Sequence, residues 1–336
     1  MSWLLLVGVF LASWSLTLVL RGYALRNKLM DVPNARSSHS IPTPRGGGVA
    51  IVVSFLTALS VCVLTGVLPQ GQFIGLFGAG IAVALIGFAD DHGHIAARWR
   101  LLGHFAAAIW ILICLGGLAP LDMFGFKVDL GWFGAVLASI YLVWVLNLYN
   151  FMDGIDGIAG AVAICVTVAG AILYWLCGFT QEVWAPLLLA SACAGFLVWN
   201  FPPAKIFMGD AGSGFLGIVL AGMALQAGWV EPHLFWSWLI LMGVFIVDAT
   251  YTMLHRLIRG EKVYEAHRSH AYQYASRQHL SHKKVTVAVI LINVLWLTPL
   301  AFWVGKGGID GVSGLLLAYL PLIALAIRYN AGKAEA

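Results

Sequence analysis

NLYNFMDGIDGIAG, running from Asn147 to Gly160, is the stretch on which the reading of this chain turns. Two amides and two carboxylates recur there at every third position, with long apolar segments on either side. A carboxylate carried into hydrocarbon is strongly disfavoured unless it meets a cation, a hydrogen-bonding partner or water, so such a cluster is a functional candidate by default. On an ideal α-helix, steps of three residues drift around the axis. Asn147 and Asn150 can share a face, whereas Asp156 would point nearly the opposite way. Gly154 and Gly157 relieve that conflict: a helix carrying both asparagines is expected to end here, leaving Asp153 and Asp156 on a tight loop before the next helix.

Outward from this stretch the chain is overwhelmingly apolar. Of its 336 residues 61% are hydrophobic and 10% charged, with a mean hydropathy of +0.89, against about 25% charged in ordinary soluble domains. The expected fold is all-α, a polytopic integral membrane protein with about eleven transmembrane helices, the N-terminus outside and the C-terminus cytoplasmic. The candidate spans are about 3–21, 46–66, 73–89, 101–118, 131–146, 158–177, 183–199, 213–228, 234–254, 285–304 and 311–328. They form one membrane-embedded domain over 1–336, with cytoplasmic loops at about 22–45, 90–100, 147–157, 200–212 and 255–284. This layout puts seventeen of the nineteen Lys and Arg residues on the inner side, as the positive-inside rule requires. It leaves no room for a large soluble domain. The first apolar segment has no positive residue ahead of it and is read as a retained span rather than a cleaved signal. The five cysteines lie in apolar segments without CxxC spacing, which argues against a zinc site or a disulfide framework. A basic inner face suits phosphate-bearing partners beside anionic lipid, although topology alone also accounts for it.

Acidic residues single out the inner loops further. Asp90, Asp91, Asp153, Asp156 and Asp210 all fall at or beside inner ends of spans. Asp90 and Asp91 lie at a helix C-terminus, the electrostatically wrong end, and call for a metal or for neighbours such as His92, His94, Arg98 and Arg100. The plainer alternative, in which Asp91 caps the following helix, explains one carboxylate but not both. In FPPAKIFMGDAGSGFLG (201–217), Asp210 is placed for a metal or as a helix cap, and a helix starting just after it turns its positive end toward a phosphate. Gly212 to Gly217 formally matches GxGxxG, but no strand precedes it, so Gly214 and Gly217 are assigned to helix packing. The first inner loop offers Arg36, His39 and Arg45 to a phosphate, and Gly46 to Gly48 allow close backbone approach. The loop 255–284 groups His267, Arg268 and His270 with Tyr272 and Gln273, a set able to bind a diphosphate and a sugar. Asp248, inside the ninth span, is expected to pair with His255 or Arg256.

The paired DD at 90–91, NLYNFMDGIDG at 147–157, FMGDAGSG at 207–214 and AHRSHAYQ at 266–273 resemble the motifs of the polyprenyl-phosphate N-acetylhexosamine-1-phosphate transferases of the glycosyltransferase family 4 type, in the family order and across nearly the whole chain. The resemblance implies a bacterial cytoplasmic (inner) membrane enzyme with its site on the cytoplasmic face. Its partners would be a UDP-N-acetylhexosamine, undecaprenyl phosphate and membrane lipid, with a homodimer compatible and no nucleic acid. It implies Mg2+ as cofactor, with Mn2+ a substitute. Residue by residue, it makes Asp90 and Asp91 the catalytic acidic pair and Asn150 and Asp210 magnesium ligands. Asn147, Asp153 and Asp156 line the site, His267, Arg268 and His270 contact diphosphate and sugar, and Arg45, His94 and Gly209 join them as substrate-binding candidates. His94 stands where the peptidoglycan branch usually has lysine, and AHRSH stands in place of a triple-histidine loop. The variant therefore looks closer to the branch that starts O-antigen or related polysaccharides from a donor such as UDP-N-acetylfucosamine or UDP-N-acetylquinovosamine. A peptidoglycan or teichoic-acid starting enzyme is the alternative within the family. Outside it, a secondary transporter of an anionic solute is the rival, weakened because such sites lie near the midplane within related repeats.

Overall fold

The computed structural model describes residues 3–33, 38–68, 70–93, 95–261 and 267–333. Two of the candidates above, Arg36 and His94, lie outside the described residues. Fourteen α-helices dominate: α1 (Leu4–Arg26), α2 (Val49–Leu64), α3 (Gln70–His92), α4 (Ala97–Leu115), α5 (Gly131–Met152), α6 (Ile158–Leu176), α7 (Trp184–Asn200), α8 (Asp210–Val230), α9 (Pro232–Leu241), α10 (Gly243–Ile258), α11 (Ala271–His279), α12 (His282–Ile292), α13 (Thr298–Gly305) and α14 (Gly311–Arg328). Among the described residues, eight helical stretches can cross a bilayer by length and composition, one of them joining α12 to α13 through Asn293–Leu297. A ninth is the pair α9 and α10, bent by 69° at Met242, and α2 and α7 are shorter apolar helices. Each of the eleven expected segments thus carries apolar helix, and the protein is a polytopic membrane protein.

The centre of the bundle is α8. Its sequence alternates glycine and alanine with larger apolar residues, and nearly every side chain is buried. Small residues let neighbouring helix backbones come close, which in lipid substitutes packing and interhelical contact for the missing hydrophobic drive. A Cβ at Gly217 would come within 2.7 Å of the Leu146 Cα on α5, so the glycine there serves helix packing as expected. Helices α3, α5 and α9 pack directly against α8. The stretch between α12 and α13 is π-helical over Asn293–Leu297, immediately ahead of Pro299, whose missing amide N–H interrupts the regular ladder.

Among the described residues two small antiparallel strand pairs lie in the connections between helices. Strands β1 (Met30–Asp31) and β2 (Thr43–Pro44) pair antiparallel, Met30 with Pro44, and β3 (Leu121–Met123) pairs with β4 (Phe126–Val128) between α4 and α5. Beyond β2 the chain runs alongside the segment that leads into α8. Phe207 N–H donates to the Pro44 carbonyl at 2.8 Å, Gly47 N–H to Phe207 at 2.9 Å and Gly48 N–H to Met208 at 2.8 Å. The glycines of the first loop are thereby used for close approach to protein backbone, and the loop forms one wall of a cavity at this end of the bundle.

Candidate active site

The start of α8 organises that cavity. Gly209 precedes it with φ +78° and ψ 171°, a region open essentially to glycine alone. The amides of Asp210 and Ala211 then donate to the Asp91 carboxylate at 3.2 and 3.3 Å. Asp91 therefore does cap a helix, but α8 rather than the next one in sequence. Arg45 Nη2 donates to the Asp91 backbone carbonyl at 2.5 Å, covering one of the unpaired carbonyls at the end of α3. Asp90 is held differently: Oδ1 accepts the Ile95 amide at 2.9 Å and Oδ2 is ion-paired with Arg100. The same guanidinium lies 3.6 Å from Asp210 Oδ2. His92, offered above as a compensator, instead bonds the Phe88 carbonyl at 2.9 Å.

From α5, Asn150 Nδ2 donates to Asp210 Oδ1 at 3.0 Å and to Ser213 Oγ at 2.9 Å. Asn147 Nδ2 turns back to the Val143 carbonyl at 2.7 Å, and its side chain lines a small cavity of about 20 Å³ with Asp90, Arg100 and His104. As expected, α5 ends at Met152, and residues 153–157 form a turn before α6. Asn200, not anticipated from the sequence, pins this turn. Its Oδ1 accepts the Gly157 amide at 3.1 Å while its Nδ2 donates to the Ile206 carbonyl at 2.9 Å. The only prior sign was a polar residue at the end of an apolar helix ahead of Pro202 and Pro203.

The two aspartates of the turn are electrostatic opposites. Asp153 is pushed well above the usual carboxylate range by burial and by the charges of Asp210, Asp91 and Asp156. Burial works to raise Asp156 too, but the His282 side chain and the Ala204 amide hold it below that range. Asp156 Oδ1 lies 3.1 Å from His282 Nδ1 and its Oδ2 accepts the Ala204 amide at 3.0 Å. His282 Nε2 reaches the Ser38 carbonyl at 2.9 Å, tying the first loop to this turn. His282 was missed because it opens a basic helix start that reads as a topology signal.

These residues surround a cavity of about 380 Å³ whose wall includes Arg45, Asp91, Asn150, Asp153, Asp156, Gly209 and Asp210, within the size range of small-molecule sites. The structure brings together residues from four separate sequence motifs. The AHRSH residues sit otherwise: His267 and His270 pack ring to ring with centroids 4.9 Å apart, and Gln273 is the residue of that segment that reaches the cavity wall. Burial, with the charges of His270 and Arg256, takes His267 down to about 3, so it is neutral at physiological pH. Asp248 corrects an expectation. It meets not His255 or Arg256 but His270 and the amides of Ala271 and Tyr272, because its carboxylate faces the start of α11, while Arg256 pairs with Glu261 at 2.9 Å.

Among the described residues no three His, Cys, Asp or Glu side chains form a ready metal cage. The oxygen donors present nevertheless fit a hard divalent cation. Magnesium is commonly held by one or two carboxylates plus substrate phosphates and water rather than by an all-protein cage, and the carboxylates acting on Asp153 mark a site short of positive charge.

The profile of glycosyl transferase family 4 matches residues 73–228, which span α3 through most of α8. Over 288 residues, 84% of this chain and 79% of the relative, the sequence is 26% identical to a probable undecaprenyl-phosphate N-acetylglucosaminyl 1-phosphate transferase of Bacillus subtilis. A decaprenyl-phosphate N-acetylglucosaminephosphotransferase of Mycolicibacterium smegmatis is 30% identical over 332 residues, 88% of this chain and 78% of the relative. A phospho-N-acetylmuramoyl-pentapeptide-transferase of Moorella thermoacetica is 34% identical over 230 residues, 63% of this chain and 68% of the relative. Likeness of this extent, to relatives that share one kind of chemistry, makes the chain a member of the polyprenyl-phosphate N-acetylhexosamine-1-phosphate transferases, enzymes embedded in the bacterial inner membrane.

Proposed function

We propose that the protein transfers an N-acetylhexosamine-1-phosphate from a UDP-sugar to undecaprenyl phosphate on the cytoplasmic face of the membrane, releasing UMP and starting O-antigen or a related surface polysaccharide. The observation that carries this reading is the convergence of Asp91, Asn150, Asp153 and Asp210 around a cavity of about 380 Å³, with Asp90 in the adjoining small cavity that Asn150 and Asp210 also line. An oxygen of the acceptor phosphate bonds to the sugar-bearing phosphorus of the donor as that phosphorus loses its bridging oxygen, which leaves on UMP. Both reactants are anionic, so the protein must position them and offset their repulsion.

Asp90 is the group proposed to deprotonate or position the acceptor phosphate. Its Arg100 partner is placed to exchange the carboxylate for that phosphate. Asp91, spent on the α8 amides, fixes where Asp210 stands. Asp210 and Asn150, joined by the Asn150 Nδ2 bond to Asp210 Oδ1, would hold magnesium, or manganese in its place. When bound, the cation supplies charge neutralisation for the donor diphosphate and the departing UMP. Asp153 and Asp156 line the donor side, with Arg45 and Gly209 in the same wall. His267, Arg268 and His270 are proposed to join the donor diphosphate and sugar from the loop beside the cavity.

The reading is tested by assaying UMP formation in detergent from a set of UDP-sugars with undecaprenyl phosphate and Mg2+. Product from a 6-deoxy-N-acetylhexosamine donor supports the O-antigen branch, and product only from a UDP-muramoyl peptide replaces it with peptidoglycan initiation. That second reading is favoured by the Moorella relative and opposed by AHRSH in place of three histidines. Uptake of an anionic solute without product would remove the enzyme reading. Stoichiometric UMP release from enzyme and UDP-sugar without acceptor would replace direct transfer by a two-step route through a phosphorylated aspartate.

A further inference from the structure

Asp248 lies within α10 with 6% of its surface exposed, a buried acid in the body of the helix. Its carboxylate is engaged chiefly by the start of a different element, with Thr252 of its own helix beside it. Oδ1 accepts the Ala271 amide at 2.9 Å, Oδ2 accepts the Tyr272 amide at 3.0 Å, and His270 Nδ1 and Thr252 Oγ1 lie 3.3 and 3.2 Å from Oδ1. Ala271 and Tyr272 open α11, whose first amides have no partner within their own helix. A carboxylate at that end satisfies these donors and complements the helix dipole. With nine residues α11 is too short to be stable alone, so what anchors its first turn also sets its position.

That position matters at the cavity. Tyr272 Oη donates to the Phe151 carbonyl at 3.0 Å, in the last turn of α5. A Cβ at Gly154 would collide with the Tyr272 hydroxyl and come to 3.1 Å from Gln273 Nε2. The first turn of α11 therefore rests on the turn that carries Asp153 and Asp156, and Gln273 continues from there into the cavity wall. Asp248 itself lines a different, largely apolar cavity behind α11, so it acts on the site through α11 and the His270 that precedes it.

We propose that Asp248 is a positioning residue for donor binding: by holding the first amides of α11 and the ring of His270, it docks Tyr272 and Gln273 onto the Asp153 turn and sets the donor-side wall. The inference rests on the transferase reading of the site. In Asp248→Asn an amide NH2 replaces one acceptor oxygen and meets a backbone N–H, donor against donor, while shape is kept. The KM for the UDP-sugar rises about tenfold, the size expected for losing one charge-assisted hydrogen bond, with kcat and the KM for undecaprenyl phosphate nearly unchanged. Amide exchange over residues 270–276 quickens. Tyr272→Phe, which removes the bond to Phe151, raises the same KM, and the double variant is no worse than the more affected single one, because both act through one docked element.

An unchanged donor KM in Asp248→Asn, or additive effects in the double variant, overturns the proposal. If Asp248→Asn does not accumulate, Tyr272→Phe decides alone, and a normal donor KM there overturns it. Absence of product from the wild-type chain with every UDP-sugar would instead refute the transferase reading, and amide exchange over 270–276 in the two variants would still decide whether Asp248 docks α11.

Discussion

Replacing Gly209 with alanine tests whether the active end of α8 is set by its contact with α3. The native backbone there, φ +78° and ψ 171°, costs a residue with a Cβ about 1–3 kcal/mol. The added methyl would sit 2.7 Å from Asp91 Oδ2, 3.1 Å from Asp91 Oδ1 and 3.1 Å from the Gly46 amide. Asp91 must then withdraw from the two amides it accepts at 3.2 and 3.3 Å. Each such bond to a charged group is worth about 1.5–3 kcal/mol, the lower end applying at these lengths. Strain and lost bonds together come to about 4–6 kcal/mol, divided between lower stability and displacement of Asp210. A displacement near 1 Å costs about a hundredfold in turnover. The assay pairs kcat for UMP release with the thermal midpoint in detergent, using Gly8→Ala as control. Gly8 lies in α1, where an added Cβ meets no atom within 4 Å, and alanine in a helix is favoured there by up to about 1 kcal/mol. Wild-type turnover and midpoint in Gly209→Ala would show that Asp91 does not constrain the start of α8, and the account of Asp210 placement would fall with it.

Asp90→Asn and Asp210→Asn should each lower kcat by about a hundredfold or more while the thermal midpoint is retained; near-normal turnover in either removes that residue from its role. Chelating divalent metal should abolish UMP release, with Mg2+ and then Mn2+ restoring it; full activity after chelation would refute the proposed part of Asp210 and Asn150. Asp153, whose titration is raised on folding, binds more protons folded than unfolded above its ordinary value of 3.8, so stability falls with rising pH by about 1.4 kcal/mol per pH unit until the folded group ionises; metal-free Asp153→Asn should gain thermal midpoint relative to wild type as pH rises, and a constant difference across pH 4–7 would refute the assignment. His267 acts with the opposite sign: its titration drops from 6.5 to about 3, so its contribution is present above 6.5 and lost as pH falls from there toward 3. His267→Gln should therefore flatten acid destabilisation in that window, and an unaltered profile would refute the buried neutral form.

How far the sequence reads into the site depends on whether a signal is local. Hydropathy and positive charge are local, and they locate the apolar helices and the polar ends between them. The end of α5 near Met152 is local too, because Gly154 and Gly157 announce it. What a residue meets across the bundle is not. Asp248 is two turns ahead of His255 and Arg256 on its own helix, and those are the partners that helical spacing can see. Apart from Thr252 on its own helix, its partners lie more than twenty positions later, at the start of a short helix that local reasoning would not place against it. Asn200 and His282 were invisible for the same reason: a single polar residue at a helix end means little until the turn it supports is known. His267 is read from the sequence within a group able to bind a diphosphate and a sugar, and its burial, a tertiary property that spacing does not report, lowers its titration to about 3.

The paired aspartates at the end of α3 carry the physical argument furthest. Read on their own helix they face partial negative charge, an arrangement unfavourable by about 0.3–1 kcal/mol per charge at an exposed end. In the folded chain the end of α3 meets the beginning of α8, and Asp91 rests on the positive end of that second helix. Asp90, one residue away, has no such helix end and takes Arg100 instead. The two carboxylates are thereby distinguished. Asp91 has both oxygens committed to backbone donors that cannot move without unwinding α8, whereas Asp90 keeps Oδ1 on the Ile95 amide and has Oδ2 matched to a side chain that can swing. Of adjacent identical residues, only Asp90 can be uncovered by an arriving phosphate at the cost of a rotamer. The same logic bears on the cation, since Arg45 and Arg100 are engaged with Asp91 and Asp90, while the charges acting on Asp153 are those of Asp210, Asp91 and Asp156. Among the described residues carboxylates thus outnumber arginines in the wall of this cavity, and the magnesium proposed at Asp210 would offset that excess.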